Sequence, residues 1–253
     1  MKISPIFLGI VAVTITGGVA LWTGFGKPGI DSFIFVLGAY FMVLCLHEFG
    51  HAYTAHRAGD TDVAARGYLD LNPLRYVNPL LSIILPIFYL IIGGIPLPGG
   101  SVLVNPGVAR QKWRASLISA AGPLTNIVFA AIGMVAVALA TPTDSDWFSS
   151  PHANFWAAVS FFVYIQVAVA ILNLIPVPGL DGFGIIEPYL KYETRRSLEP
   201  IRPYGILLVF LLLVAVPPIR NNFQVMINSI ITFFDQPSGV WVFGSELFKF
   251  WQS

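Results

Sequence analysis

Charged side chains are scarce in this sequence. Lysine, arginine, aspartate and glutamate make up only 11% of its 253 residues, whereas 56% are hydrophobic. The mean hydropathy of +0.75 is well above that of a soluble domain of this length. A net charge of +1 and the lack of any long basic run argue against a nucleic-acid partner, because phosphate binding needs a clustered basic surface. The composition therefore predicts an integral membrane protein surrounded by lipid.

Cysteine is almost absent as well. The single cysteine, Cys45, has no partner for an internal disulfide and lies in an apolar run. We interpret it as a small packed hydrophobic residue and assign it no function.

Long apolar stretches, by contrast, are frequent. A helix needs about 20 mostly apolar residues to cross roughly 30 Å of hydrocarbon. Five windows are predicted to span on this basis: 4–24, 31–56, 115–140, 153–176 and 203–218. The tail, 221–253, alternates polar residues with Phe, Ile and Trp, which predicts C-terminal helices lying at the membrane interface.

The predicted fold is an all-α polytopic membrane protein with about five full transmembrane helices. We expect a single membrane-embedded domain over residues 1–253 with a core at about 31–185. An extra N-terminal span in 1–30 and an extra span with an amphipathic tail in 203–253 complete it. The sequence predicts no oligomeric state.

Basic residues between the windows predict the orientation. Lys and Arg gather after the second window, before the third and after the fourth, which marks those loops and the N-terminus as cytoplasmic. The 141–152 loop has neither and is expected to face outward. A further apolar segment, 79–98, then has cytoplasmic loops on both sides, and its prolines and glycines suit a re-entrant hairpin or a broken helix. We predict that it enters and leaves on the same side.

Three ionisable side chains near the end of the second window point to chemistry. His47 and His51 are four residues apart, so a helix presents both imidazoles on one face. With Glu48 they form the His-Glu-x-x-His pattern, in which the histidines bind zinc and the glutamate acts as a base. Such a short pattern arises by chance in soluble chains, but an ionisable group in a membrane costs about 3 kcal/mol or more unless it is paired, solvated or metal-bound. The pattern therefore favours a site for one zinc ion.

Two histidines leave such a site one protein ligand short, because hydrolytic zinc sites use three. Asp181 follows the fourth window in "NLIPVPGLDG", where prolines and glycines break the helix. Taken alone it suits a turn or a helix cap. If 79–98 does not cross the bilayer, however, Asp181 and the histidine pair reach the same side, and we predict Asp181 as the third ligand. If that segment crossed, Asp181 would lie roughly 30 Å away.

Four motifs in order carry a resemblance to a known family: "HEFGH", "GYLDLNPLRYVNP", "AGPLTN" and "NLIPVPGLDG". Together they resemble the site-2 protease family of intramembrane zinc metalloproteases, in particular its compact bacterial members without PDZ or CBS domains. The resemblance covers about residues 40 to 185. It implies that His47, His51 and Asp181 bind zinc and that Glu48 is the catalytic base. It also implies a bacterial cytoplasmic membrane and transmembrane protein substrates that are cut near the cytoplasmic side.

Two asparagines, Asn126 and Asn173, match polar positions near the active site of that family. They are candidates for contacts to the substrate or the oxyanion, although a membrane-buried asparagine also bonds neighbouring helices without any catalytic role. The stretch "GGSVLVNPG", 99–107, predicts a small β-hairpin. It either holds an extended substrate segment by strand addition or packs beneath the re-entrant segment.

Two other functions compete with proteolysis. A transporter or channel also places histidine and glutamate in the membrane, to relay protons or bind a transported metal. It does not require Asp181 at the same depth. A catalytically silent relative would only bind membrane partners, and the intact His47, Glu48 and His51 argue against it. We therefore predict an intramembrane zinc metalloprotease.

Overall fold

The described part of the chain is built of helices. The computed structural model describes residues 3–75, 111–140, 145–234 and 238–252. Its α-helices are α1 (Pro5–Thr23), α2 (Pro28–Ala58), α3 (Asp62–Ala65), α4 (Lys112–Ala140), α5 (Ala153–Leu174), α6 (Asp181–Ile186), α7 (Tyr192–Leu198), α8 (Gly205–Ala215), α9 (Pro217–Phe233) and α10 (Ser238–Phe248). Short 3-10 helices cover Pro73–Arg75, Ser145–Ser149, Glu187–Tyr189, Glu199–Tyr204 and Phe250–Gln252. These ranges contain no strand, in agreement with the predicted all-α class.

Two predicted features fall outside the described residues. They are the re-entrant or broken segment at 79–98 and the β-hairpin at 99–107. Nothing in the described ranges supports the hairpin. Both stay predictions.

The first two long helices begin at residues that favour a helix N-terminus. The Ser4 side chain caps α1, because its Oγ accepts a hydrogen bond of 3.1 Å from the backbone N–H of Ile6. Pro5 and Pro28 open α1 and α2, where the missing N–H is not needed and the fixed φ already suits a helix. With 31 residues, α2 is about 46 Å long, more than the roughly 30 Å of hydrocarbon.

Within the described ranges, five segments are long and apolar enough to cross a membrane, and they match the five predicted windows. They are Pro5–Thr23, Pro28–Ala58, Lys112–Ala140, Ala153–Leu174 and Tyr192–Ala215. The fifth segment is not a single α-helix, because it consists of α7, a 3-10 helix and α8. With 11 residues, α8 is only about 16 Å long. Val216 is extended and Pro217 begins α9, so the window 203–218 is broken near its end.

The central helix of the bundle is α5. In its most apolar stretch 83% of the residues are buried, and it packs against α2, α4, α9 and α10, while α1 packs on α2. The outer faces of α1 and α4 expose large apolar side chains such as Leu8, Ile15, Ile132 and Leu139. Apolar surface of this extent is unfavourable in water. The fold is therefore that of a multi-pass membrane protein.

The C-terminal helices α9 and α10 pack on this bundle. Phe223, Ile227 and Ile231 recur every four residues on α9 and are buried in the main apolar core. At Gly244 of α10, a Cβ would collide with the backbone carbonyl of Ala157 on α5, so the two helices approach closely there. The amphipathic pattern predicted for the tail is present in α9. The interfacial position of the tail stays a prediction.

Candidate metal centre

Three parts of the chain meet at one end of the bundle. They are the C-terminal part of α2, the N-terminal part of α4 and the segment that follows α5. The contact between α2 and α4 joins His51 to Ile118, and Asp181 lies beside the histidine pair. Consequently α2 and α5 run in the same direction, and α4 runs opposite to them.

The two histidines and Asp181 have the spacing of ligands to one metal ion. The Nε2 atoms of His47 and His51 are 3.1 Å apart. Asp181 Oδ2 lies 3.3 Å from His47 Nε2, and Asp181 Oδ1 lies 3.4 Å from His51 Nε2. Two ligand atoms on a tetrahedral zinc ion, at bond lengths of about 2.0–2.1 Å, are about 3.3–3.4 Å apart. The three side chains therefore fit zinc in both donor type and separation.

Burial and charge suit this role. His47 and His51 are 5% and 6% exposed, so the ligand atoms are largely shielded from water. Burial on its own raises the pKa of the Asp181 carboxyl, but positive charge on the imidazoles of His51 and His47 outweighs it and holds that pKa below its usual range. A zinc ion would supply positive charge at the same place, and Asp181 would bind it in the ionised form.

Residues of α4 orient both imidazoles. His51 Nδ1–H donates to the backbone carbonyl of Ile118 at 2.7 Å, and His47 Nδ1–H donates to Asn126 Oδ1 at 2.6 Å. Because Nδ1 carries the proton in each ring, the lone pair of each Nε2 is left to face Asp181. This is the tautomer that a metal ion requires.

A glycine on α4 makes room for the centre. A Cβ at Gly122 would collide with the Nε2 atoms of both His47 and His51. Any larger residue would occupy the space between the ligands. The glycine of the "AGPLTN" motif is thus needed for close approach of α4 to the histidine pair.

Glu48 lies next to the first histidine and is 2% exposed. It lies one residue after His47 and three before His51 on the same helix, so it is within one helical turn of both ligands. An acidic side chain buried in a membrane helix is costly and is usually retained for function. Its position suits a base that serves the metal centre.

The segment that carries Asp181 is held by backbone contacts. Gly179 has φ +98°, and a Cβ there would collide with the carbonyl oxygen of Arg202. A Cβ at Gly205 would likewise collide with the carbonyl oxygen of Pro178. The chain at 202–205 therefore lies directly against the turn that precedes Asp181.

Side-chain contacts fix the helix α6 that begins at Asp181. Ser116 Oγ on α4 donates to the carbonyl of Ile185 at 2.6 Å. The Arg202 guanidinium pairs with Glu187, just beyond the end of α6. These two contacts hold α6 against α4 and against the segment of chain that follows α6.

The two asparagines predicted near the site differ in their surroundings. Asn126 is 3% exposed and is hydrogen-bonded to His47 and, through its amide Nδ2, to Gln166 Oε1 at 2.7 Å. Its side chain is therefore engaged with a metal-site histidine. Asn173 is buried in the last turn of α5, at the same end of the bundle.

The remaining described histidines lie apart from the centre. His56 faces the carbonyl of Asp60 at 3.4 Å at the end of α2. At the opposite end of the bundle, His152 Nδ1–H donates to the Trp22 carbonyl at 2.9 Å, and the two rings stack.

Sequence reasoning missed Ile118, Gly122 and Gln166. A backbone carbonyl such as that of Ile118 carries no sequence signal. Gly122 belongs to the "AGPLTN" motif, but its role depends on how closely α4 approaches α2. Gln166 did have a signal, because it is a polar residue in the middle of an apolar helix and lies seven residues, two helical turns, before Asn173.

Curated relatives agree with this chemistry. The chain is 41% identical to the protein named "Putative zinc metalloprotease Rip2" of Mycolicibacterium smegmatis, over 99% of this chain and 95% of the relative. It is also 41% identical to the Rip2 protein of Mycobacterium tuberculosis, over 87% of this chain and 82% of that protein. YwhC of Bacillus subtilis, which is also named as a zinc metalloprotease, is 28% identical over 68% of this chain and 76% of its own length.

No protein-family profile matches the chain, and no solved structure does. The near full-length likeness to Rip2 and the histidine–aspartate centre point to the same chemistry. The chain therefore belongs to the site-2 protease family of zinc metalloproteases.

Proposed function

We propose that this protein is an intramembrane protease that hydrolyses peptide bonds of transmembrane proteins near the cytoplasmic side of the bilayer. His47, His51 and Asp181 hold the zinc ion, and Glu48 is the catalytic base. The observation that carries the proposal is the meeting of Asp181 with the buried His-Glu-x-x-His helix.

The residues divide the chemistry between them. Zinc supplies Lewis-acid polarisation and makes water a better nucleophile at neutral pH. The Glu48 carboxylate accepts a proton from the attacking water and then delivers it to the leaving amine. Asn173 is the proposed donor to the substrate backbone or oxyanion. It lies on the same face of α5 as Gln166. The Gln166 side chain is hydrogen-bonded to Asn126 beside the site, so this face of α5 is directed towards the site.

The position of the site along α2 supports cleavage inside the membrane. His47 is 19 residues from Pro28 and 11 from Ala58, or about 28 Å and 16 Å along the helix axis. A helix of 31 residues centred in the bilayer has its hydrocarbon edges about 15 Å on either side of its midpoint. His47 then lies about 9 Å inside the edge on the site's own side.

The charge distribution supports a cytoplasmic site. Nine of the twelve basic residues in the described ranges lie in segments at the end of the bundle that carries the metal centre. They are Arg57, Arg66, Arg75, Lys112, Arg114, Lys191, Arg195, Arg196 and Arg202, whereas Lys27 precedes α2, Arg220 lies in α9 and Lys249 follows α10. The excess of Lys and Arg on the cytoplasmic side of membrane proteins gives the proposed orientation, with the N-terminus also cytoplasmic, in a bacterial cytoplasmic membrane.

A transporter or channel is the less favoured function. It would use the intramembrane His47, Glu48 and His51 without any need for a carboxylate at the same depth. The distances of 3.3 and 3.4 Å from Asp181 to the two histidines argue for a closed three-ligand set instead.

Co-expression with tagged single-span membrane proteins tests the proposal. We expect the wild type to release a shorter tagged fragment from at least one of them, and Glu48→Gln to release none while it retains zinc. Fragments of equal amount with Glu48→Gln would contradict the role of Glu48. Transport of a metal ion into vesicles without any proteolysis would favour the transporter.

A further inference from the structure

We propose that Gln166 is a positioning residue of the metal centre. Its side-chain carbonyl fixes the amide of Asn126, and Asn126 in turn fixes the ring of His47 in the tautomer that binds metal. The inference rests on the proposed function, because it assigns His47 as a zinc ligand.

A chain of hydrogen bonds joins the three central helices at the site. His47 Nδ1–H on α2 donates to Asn126 Oδ1 on α4 at 2.6 Å. Asn126 Nδ2–H donates to Gln166 Oε1 on α5 at 2.7 Å. All three side chains are buried, and Gln166 is only 1% exposed. Gln166 is thus linked to His47 through a single intervening residue, Asn126.

The direction of each hydrogen bond matters here. The two ends of an asparagine amide have nearly the same shape, so a half-turn exchanges a donor for an acceptor at little steric cost. A reversed Asn126 would offer its NH2 to His47 Nδ1. That nitrogen would then accept, the ring proton would move to Nε2, and Nε2 would lose the lone pair that a metal ion needs.

Gln166 opposes this reversal. Its Oε1 accepts from the Asn126 NH2, and a reversed Asn126 would face it with a second carbonyl oxygen. With Gln166 present, both amides must turn together. Without an acceptor at that position, Asn126 is able to turn alone, and the metal-binding tautomer of His47 loses its support.

A purely structural role for Gln166 is a hydrogen bond that joins α5 to α4, as buried amides do in membrane helices. The two roles make different predictions. A structural link affects the stability of the bundle alone, whereas a positioning residue affects zinc affinity through Asn126. Zinc affinity and stability must therefore be measured separately.

Gln166→Met is the first test, since methionine is similar in length but is only a weak acceptor. We expect its zinc dissociation constant, measured by chelator competition on the solubilised full-length protein, to rise by about tenfold, the lower end of the effect of losing a direct partner of a zinc-bound histidine. Ser160→Ala is the matched control. Ser160 is fully buried on the same helix, about 9 Å from Gln166 along the axis, and its loss should leave the zinc dissociation constant unchanged.

The second test repeats Gln166→Met in a protein that already carries Asn126→Asp. A carboxylate offers His47 an oxygen in either orientation, so the direction that Gln166 imposes no longer matters. We expect Gln166→Met in this background to change the zinc dissociation constant by less than about twofold. An equal loss in both backgrounds would overturn the proposal and leave only the structural link.

Gln166→Glu keeps the inference testable if the methionine variant does not fold. A carboxyl group retains an acceptor oxygen in either protonation state, so zinc affinity should stay within about threefold of wild type. A zinc affinity weakened about tenfold in Gln166→Glu, or unchanged in a folded Gln166→Met, contradicts the inference. Absence of zinc from the wild type would instead contradict the proposed function.

Discussion

Single side chains at the metal centre fall into two groups. His47, His51 and Asp181 direct their ligand atoms at one point, with separations of 3.1–3.4 Å. Residues of α4 supply none of these ligand atoms but set the orientation of the two imidazoles. The Ile118 carbonyl and the Asn126 amide hold the imidazole protons on Nδ1, so the ligand lone pairs depend on α4 as much as on α2.

Gly122 gives the most direct test of this dependence. Gly122→Ala would place a methyl group against the Nε2 atoms of both histidines. We expect zinc affinity to fall on the order of 100-fold, by analogy with loss of other residues around a zinc site. Chelator competition on the solubilised protein measures it.

Gly133→Ala is the control, because it lies on the same helix about 16 Å away and its Cβ would meet only the Val163 side chain. It should destabilise the fold by about 1–3 kcal/mol through overpacking and leave zinc affinity unchanged. If Gly122→Ala bound zinc as well as Gly133→Ala does, the centre could not lie where the two histidines meet α4.

At this scale the sequence predicted the residues whose spacing is local. His47, Glu48 and His51 stand within five residues, and helical periodicity alone puts the two imidazoles on one face. The link from His47 through Asn126 to Gln166 joins residues that are 79 and 40 positions apart. No local pattern encodes such a pairing, because it depends on how α2, α4 and α5 pack.

At the scale of elements, the position of Asp181 depends on the turn between α5 and α6. Gly179 adopts φ +98°, where a Cβ is strained, and the chain at 202–205 lies against this turn through backbone atoms. The ion pair of Arg202 with Glu187 is partly exposed, and such pairs contribute only about 0–1 kcal/mol. Backbone fit, more than charge pairing, therefore sets where Asp181 lies.

Gly179→Ala tests this account of the turn. Both the strained φ and the collision with the Arg202 carbonyl should move the segment that begins at Asp181. We expect a loss of about 1–3 kcal/mol in the free energy of unfolding and a weaker zinc affinity. Thermal unfolding and chelator competition would report the two effects.

Gly239→Ala is the matched substitution, since a Cβ at Gly239 on α10 meets nothing within 4 Å. It should leave zinc affinity unchanged and the fold as stable as before or slightly more so. Equal zinc affinity for wild type and Gly179→Ala would show that the turn does not position Asp181.

For the whole molecule, the parallel course of α2 and α5 brings the end of α2 and the segment after α5 together at the metal centre. The five apolar spans were predictable because crossing hydrocarbon demands about 20 apolar residues. The break at Val216 and the packing of α10 on α5 were not predictable, because both depend on tertiary contacts such as that of Gly244 with Ala157.

Single-cysteine labelling tests the orientation proposed for the molecule. Cys45 is buried and is replaced by alanine first. Ser197→Cys, exposed at the site end, and Ser149→Cys, exposed between α4 and α5, then report the two sides. In intact spheroplasts an impermeant maleimide should label Ser149→Cys, and Ser197→Cys only after permeabilisation. The reverse pattern would place the metal centre on the outer side.

The central claim is that one zinc ion joins the helix α2 to Asp181. Elemental analysis of the purified protein tests it most directly, with wild type beside His51→Ala, Asp181→Ala and, as the control that leaves the ligands intact, Glu48→Gln. The account predicts about one zinc per chain in the wild type and in Glu48→Gln, and loss or weakening in the other two. Zinc held by Asp181→Ala at wild-type affinity, or none in the folded wild type, would contradict it.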